Sequence, residues 1–298
     1  MSLVTGNQPD GTPTWIDLGI PDLDRAMEFY RALFGWEFDV GPAETGHYTM
    51  CLLQGRPVAA LMPNHDPGAT KFWWNVYLAT ADCDRTAARI TDAGGTLLTA
   101  PMDVMDKGRM AVARDPQGAQ FGLWQGRAHI GCEVVNEPNS LVRNDLVTPN
   151  PAPARDFYAS VFDFTLDRNE DLPDVDFTFL RRPDGHEVAG ILGAPDAPGS
   201  AWGTTFAVDD TDAVVQRATA AGGTCGEPED MVCTRGSRPS PIPSASSSRW
   251  APGLRRAAET GAPWPDRAPG AQRLPGPGAP AGSQGSSNSS VRTPSQRP

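Results

Sequence analysis

The sequence predicts an α+β fold: two tandem domains, each built from a pair of βαβββ modules, the second incomplete and followed by a disordered tail. Three observations predict it. One offset of 128 residues carries a set of landmarks onto a second set. Within each copy the order strand, helix, strands repeats at half length. At Thr234 the composition changes, and no apolar periodicity survives beyond it.

The offset is easily followed. Asp17-Leu18 recurs as Asp145-Leu146, Phe29-Tyr30 as Phe157-Tyr158, and Phe34 as Phe162. Much further along, Trp74 recurs as Trp202 and Gly94-Gly95-Thr96 as Gly222-Gly223-Thr224. A constant offset over that span indicates duplication of a whole domain. Inside the first copy, Leu18 to Tyr30 reads as a strand running into an amphipathic helix, because Ala26, Phe29, Tyr30 and Leu33 make one apolar face. Strand-like runs follow at Tyr48 to Leu53 and Val58 to Met62. Phe72 to Thr80 opens a second module and leads into a helix from about Cys83 to Ala93, which Gly94-Gly95 ends. Thr96 to Thr99, Arg109 to Ala113 and Gln120 to Trp124 complete the module. This order indicates α+β architecture, not a doubly wound parallel sheet. The first domain is expected at residues 12–126, a linker at Gly126 to Asn139, and the second domain at 140–233. In the tail, 234–298, 32 of 65 residues are Pro, Gly or Ser, too few apolar groups to offset the entropy of ordering.

Charge narrows the partners. The net charge of −11 divides unevenly: residues 1–233 hold 16 basic and 34 acidic side chains, whereas the tail holds 9 Arg against 2 acids. An acidic body is unsuited to a phosphate backbone, so no nucleic-acid partner is expected. Met1 to Asp10 is polar and lacks the apolar stretch of a signal peptide. No apolar run is long enough to span a bilayer, so no membrane partner is expected. Cys51, Cys83, Cys132, Cys225 and Cys233 are odd in number and lack CxxC spacing, which fits reduced thiols of a cytoplasmic protein.

Particular motifs carry a resemblance. Asp22-Leu23-Asp24-Arg25-Ala26, Phe29-Tyr30, Leu33-Phe34-Gly35-Trp36, and Asp115-Pro116-Gln117-Gly118 before a strand ending at Trp124 occur in an order that resembles the vicinal-oxygen-chelate superfamily. That superfamily includes glyoxalase I, bleomycin-resistance proteins and extradiol dioxygenases. The opening Gly11-Thr12-Pro13-Thr14-Trp15-Ile16-Asp17-Leu18-Gly19 resembles a tandem subgroup common in actinobacteria, labelled glyoxalase-like or hydroxylase. The resemblance covers about residues 12–232. It implies two glyoxalase-like domains whose sheets curl into cups, with metal-using members placing His, Gln or Glu on the first and last strands of each module.

This sequence departs from that ligand pattern. The first-strand position of module one falls at Trp15, and its counterpart in module two at Trp74 or Asn75. Val58 to Met62 offers no ligand, and Phe121-Gly122-Leu123 stands where a Glu is usual. In the second domain Arg143 and Asn144, then Trp202 and Gly203, occupy the first-strand positions. His47, His65, His129 and His186 read as surface histidines. No metal site and no cofactor are therefore expected. The expected ligand-binding residues are Trp15, Asp17, Trp74 and Tyr77, in one cup. Trp15, Trp73, Trp74 and Tyr77 read either as a stacking platform or as packing between modules. Asp17 either faces the cup beside Trp15, or faces solvent or caps a neighbouring strand. The leading functional reading is a metal-independent protein binding a small molecule in the sheet cup, with aromatic molecules among the candidates. The rivals are a divalent-metal lyase, isomerase or dioxygenase, and a non-catalytic interaction protein that forms a homodimer through its sheets.

The end of the second domain carries one further expectation. By the offset, the counterpart of Asp115-Pro116-Gln117-Gly118 belongs near residue 242 or 243, where the chain reads Pro241-Ile242-Pro243-Ser244-Ala245-Ser246-Ser247-Ser248. Permitted codons for these residues, read one base over, encode Asp-Pro-Phe-Gly-Val-Glu-Phe. The expectation is therefore that a frameshift, in the gene or its sequencing, replaced the final strands with an out-of-frame tail.

Overall fold

The computed structural model describes residues 3–66, 69, 71–170 and 173–226. The expected end of the second domain and the tail at 234–298 lie outside the described residues. So does Cys233; the other four cysteines are free thiols.

The first half of the chain forms β1 (Pro13–Ile20), α1 (Leu23–Phe34), β2 (Glu37–Val40), β3 (Thr49–Leu53) and β4 (Arg56–Pro63). It continues with β5 (Trp74–Ala79), α2 (Cys83–Asp92), β6 (Thr96–Val104), β7 (Gly108–Arg114) and β8 (Gln120–Gly126). These are the two expected βαβββ modules; the sequence runs did not place β2, the first strand after α1, because it is short and mostly exposed and shows little apolar pattern. Asp22 caps α1 by accepting from the backbone N–H of Arg25, and Asp82 caps α2 through Arg85 in the same way. Gly35 closes α1 in the left-handed conformation, φ 68°, where a side chain would be strained.

The eight strands form one sheet in the order β2-β3-β4-β1-β5-β8-β7-β6. β1 pairs parallel with β4 and antiparallel with β5, and β5 pairs parallel with β8. The modules therefore join at the β1–β5 seam. Side chains opposite one another across a sheet share a face, and neighbours along a strand alternate. One face carries Ile16, Leu18, Ile20, Leu61, Trp74, Val76, Leu78, Phe121 and Leu123, all buried beneath α1 and α2. The other face, turned away from α1 and α2, carries Trp15, Asp17, Asn75, Tyr77 and Gln120.

The second copy forms β9 (Leu141–Thr148), α3 (Pro151–Phe162), β10 (Thr165–Arg168), β11 (Phe177–Arg181), β12 (Glu187–Gly193), β13 (Ala201–Phe206) and α4 (Thr211–Ala220). Its described strands make a sheet in the order β10-β11-β12-β9-β13, which repeats the first module and the opening strand of the second. The two copies meet through their helix-bearing faces, α1 against α4 and α2 against α3. Arg89 of α2 bonds Asp163 and the Ser160 carbonyl at the end of α3. Its counterpart Arg217 of α4 bonds the Leu33 carbonyl near the end of α1. The mixed α+β architecture of the sequence reading is thus present, in two sheets back to back across a helical layer. Among the described residues no helix is long and apolar enough to cross a membrane.

Candidate functional site

On the helix-free face of the first sheet, at the β1–β5 seam, lies Asp17, 3% exposed. β1 presents it two residues after Trp15, and register sets Asn75 and Tyr77 of β5 opposite Asp17 and Trp15. Three neutral donors converge on the carboxylate. Asn75 Nδ2 donates to Oδ1 at 2.8 Å, while Tyr77 and Tyr48 hydroxyls donate to Oδ2 at 2.9 and 3.2 Å. A second tier orients the first: Trp15 Nε1 donates to Tyr48 at 2.8 Å, and Gln120 Nε2 to Asn75 Oδ1 at 3.3 Å. The burial that removes Asp17 from water pushes its carboxyl up from the ordinary value, and the three hydrogen bonds only partly counter this. Burial, with the neighbouring Asp17, raises both tyrosine hydroxyls well above theirs. Both tyrosines therefore act as protonated donors.

The sequence-expected residues separate into two groups. Trp15, Asp17 and Tyr77 come together in this network. Trp74 does not: it is opposite Leu18, one residue out of phase with Asn75, and so projects to the helix face. There it packs edge-on against Tyr30 at 5.4 Å and against Phe206 of the second domain at 5.6 Å. The expectation that Trp74 lines the cup is corrected by strand parity, which also resolves the choice between Trp74 and Asn75 in favour of Asn75. Trp73, just before β5, is 49% exposed.

His129 departs from its sequence reading. His47, His65 and His186 are exposed, but the His129 ring is tucked edge-on against Trp15 at 4.3 Å and beside Trp124 at 5.5 Å. Burial, aided by Lys107, lowers it from 6.5 to about 4, so the imidazole is neutral at pH 7. The linker carrying it is tied to the domain by Trp124 Nε1, which donates to the His129 carbonyl at 2.8 Å. Tyr48, Gln120 and His129 are the site residues that sequence reasoning missed. Only register and the path of the linker bring them to Asp17 and Trp15.

The donor set does not fit a divalent cation. Among the described residues no three His, Cys, Asp or Glu side chains converge. At Asp17 the arriving groups are N–H and O–H donors, whereas a cation requires lone pairs. On the last strand the ligand position is Gly122, and a Cβ there would fall inside the Tyr77 ring. The aromatic ring occupies the space a last-strand ligand would use.

The second domain handles its equivalent carboxylate differently. Arg143, at the position of Trp15, donates from Nε to both oxygens of Asp145 at 2.8 Å and from Nη1 to Glu187 at 2.6 Å. The guanidinium lies over Phe177 and Phe179 at 5.4 and 5.7 Å. An ionic pair thus replaces the neutral network.

Paired βαβββ modules, joined into one sheet at the β1–β5 seam and repeated in a second copy, define a protein of the glyoxalase fold. Residues 12–123 and 132–237 both match the Glyoxalase/Bleomycin resistance protein/Dioxygenase superfamily, and the chain belongs to that family. A putative glyoxylase of Mycobacterium tuberculosis, CFP32, is 39% identical over 229 residues, covering 74% of this chain and 87% of the relative. The anthracycline biosynthesis protein DnrV of Streptomyces peucetius is 36% identical over 241 residues, covering 74% and 86%. Among solved structures, the Mn(II)-bound glyoxalase of Novosphingobium aromaticivorans superposes with a TM-score of 0.52 at 19% identity, covering 74% of this chain and 73% of that one. The likeness to that structure is one of fold.

Proposed function

We propose that this protein binds a small, flat, largely apolar molecule on the helix-free face of its first domain, without a metal ion. The observation that carries the reading is the convergence of Asn75, Tyr77 and Tyr48 on Asp17, which turns the family's metal-binding centre into a closed, donor-saturated floor. Around that floor the half-buried side chains are Tyr48, Met50, Met62, Asn75, Met110 and Gln120. Thioether and aromatic groups adapt to flat apolar ligands, and two amides supply the polar contacts that orient them. The name of the Streptomyces relative, an anthracycline biosynthesis protein, supports a polycyclic aromatic ligand. The free thiols fit work in the cytosol.

The test is thermal stabilisation of the full chain by an anthraquinone, by Mn(II) and by Zn(II). A ligand at a hundred times its Kd stabilises by about 2.7 kcal/mol. We expect the anthraquinone to raise Tm, Met62→Asp to abolish that rise, and the metals to leave Tm unchanged. Stabilisation by a metal, reversed by chelator, would overturn the metal-independent reading. Failure of the aromatic probe together with a Met62→Asp protein of unaltered Tm would overturn the choice of ligand class.

A further inference from the structure

The helical layer contains a hydrogen-bonded chain that crosses between domains in one half of the molecule and stops short in the other. In the complete half, Trp202 Nε1 donates to the Tyr158 hydroxyl at 2.8 Å, and Tyr158 donates to Asp115 Oδ2 at 3.0 Å. Asp115 opens the Asp115-Pro116-Gln117-Gly118 turn between β7 and β8. Its other oxygen accepts from the backbone of Gln117 and Ala119, both at 2.9 Å. The turn of the first domain thereby holds a tyrosine of the second.

The repeat requires the reciprocal contact. Tyr30 stands 128 residues before Tyr158, and Trp74 lies edge-on to it at 5.4 Å as Trp202 does to Tyr158 at 5.3 Å. Yet the buried Tyr30 hydroxyl has no acceptor among the described residues. A buried hydroxyl that donates to nothing is costly and uncommon. The second sheet differs at the matching place. β5 pairs with both β1 and β8, whereas its counterpart β13 pairs, among the described residues, with β9 alone. Among the described residues both places call for the same object: a strand parallel to β13, preceded by a turn bearing a carboxylate.

The amino-acid sequence after Met231 contains no Asp-Pro-x-Gly, but its codons can encode one. Read one base over, permitted codons for Cys233 to Ser248 encode Tyr-Ala-Arg-Phe-Ala-Ala-Val-Ala-Asp-Pro-Phe-Gly-Val-Glu-Phe. Without a gap this matches Lys107 to Phe121, placing Arg on Arg109, Ala on Ala111, Asp-Pro on Asp115-Pro116, Gly on Gly118 and Phe on Phe121. It also restores the apolar strands on either side of the turn. We propose that Tyr30 and the edge of β13 that has no partner among the described residues form the docking surface for a β-hairpin with an Asp-Pro-x-Gly turn, encoded across codons 233–248 in the neighbouring reading frame. The proposal is independent of what the first domain binds.

Two measurements test it. The coding sequence is read in the neighbouring frame, and the full chain is compared with one whose frame is restored by a single base at codon 233. We expect Asp-Pro-x-Gly in that frame and a higher Tm for the restored chain. Tyr158→Phe should lower Tm in both chains by roughly 2–4 °C, the effect of one lost hydrogen bond worth about 1 kcal/mol in a protein of this size. Tyr30→Phe should lower Tm by a similar amount in the restored chain only. Codons that do not encode the turn, a restored chain no more stable than the original, or equal effects of Tyr30→Phe in both chains would each overturn the proposal.

Discussion

Asp17 shows how a single buried group organises its surroundings. Its loss would leave all three donors without the acceptor they share, so Asp17→Ala is expected to cost at least about 2 kcal/mol, measured by urea unfolding at pH 7. Tyr77→Phe, which removes one donor and leaves the carboxylate two, is expected to cost about 1 kcal/mol. The two titrating residues of the site give opposite pH dependences. Asp17, raised by burial, contributes most to stability where it is protonated in both states, and that contribution falls as pH rises through its folded value. His129, lowered to about 4, contributes above its unfolded value of 6.5 and loses that contribution as pH falls towards 4. His129→Gln is therefore expected to flatten the urea midpoint between pH 6.5 and 4. An unchanged slope would mean that another group carries the acid sensitivity. At this scale the sequence made Trp15, Asp17 and Tyr77 legible, because alternation along β1 and aromatic density on β5 are local patterns. His129 was not legible, since nothing local distinguishes a linker histidine pressed between two indoles from one in water.

Caps and packing positions decide the behaviour of the elements. Asp22, Asp82 and Asp210 each cap a helix through a backbone N–H three residues on, whereas Asn150 before α3 makes no side-chain cap and is followed by Pro151. Asp82→Ala is expected to lower stability by about 1 kcal/mol and Asn150→Ala to have little effect, a contrast that thermal melts of the two variants would read. On β8, Gly122 is required by the Tyr77 ring above it. Gly122→Ala should displace that ring from Asp17 and destabilise by about 1–3 kcal/mol, with a change in tyrosine and tryptophan fluorescence. The helices and central strands were readable because their apolar spacing is strong. β2 was not, because an edge strand that buries little has little pattern to show.

Across the whole molecule, the two domains share a core that neither completes alone. Trp36, Trp74 and Phe206 meet there with ring centres 5.6 to 6.1 Å apart, and Trp36 Nε1 donates to the Asn139 carbonyl at 2.8 Å. Trp74→Ala is therefore expected to cost about 3–5 kcal/mol while leaving ligand affinity per folded molecule unchanged. A loss of affinity at full folding would return Trp74 to the binding face. Arg89 and Arg217, a repeat apart, each reach the C-terminal end of a helix in the other domain, so the interface follows the duplication.

The sequence by itself determined the duplication, the module order, the family and the departure from its ligand pattern, because each depends on residue type and spacing along the chain. Tertiary structure alone decided which of the adjacent Trp74 and Asn75 faces the cup. Successive strand residues point to opposite faces, so only the pairing of β5 with β1 fixes which is inside. It also decided that Asp17 is met by neutral donors and Asp145 by a guanidinium. Those partners arrive along different strands, and their convergence is a property of the folded sheet.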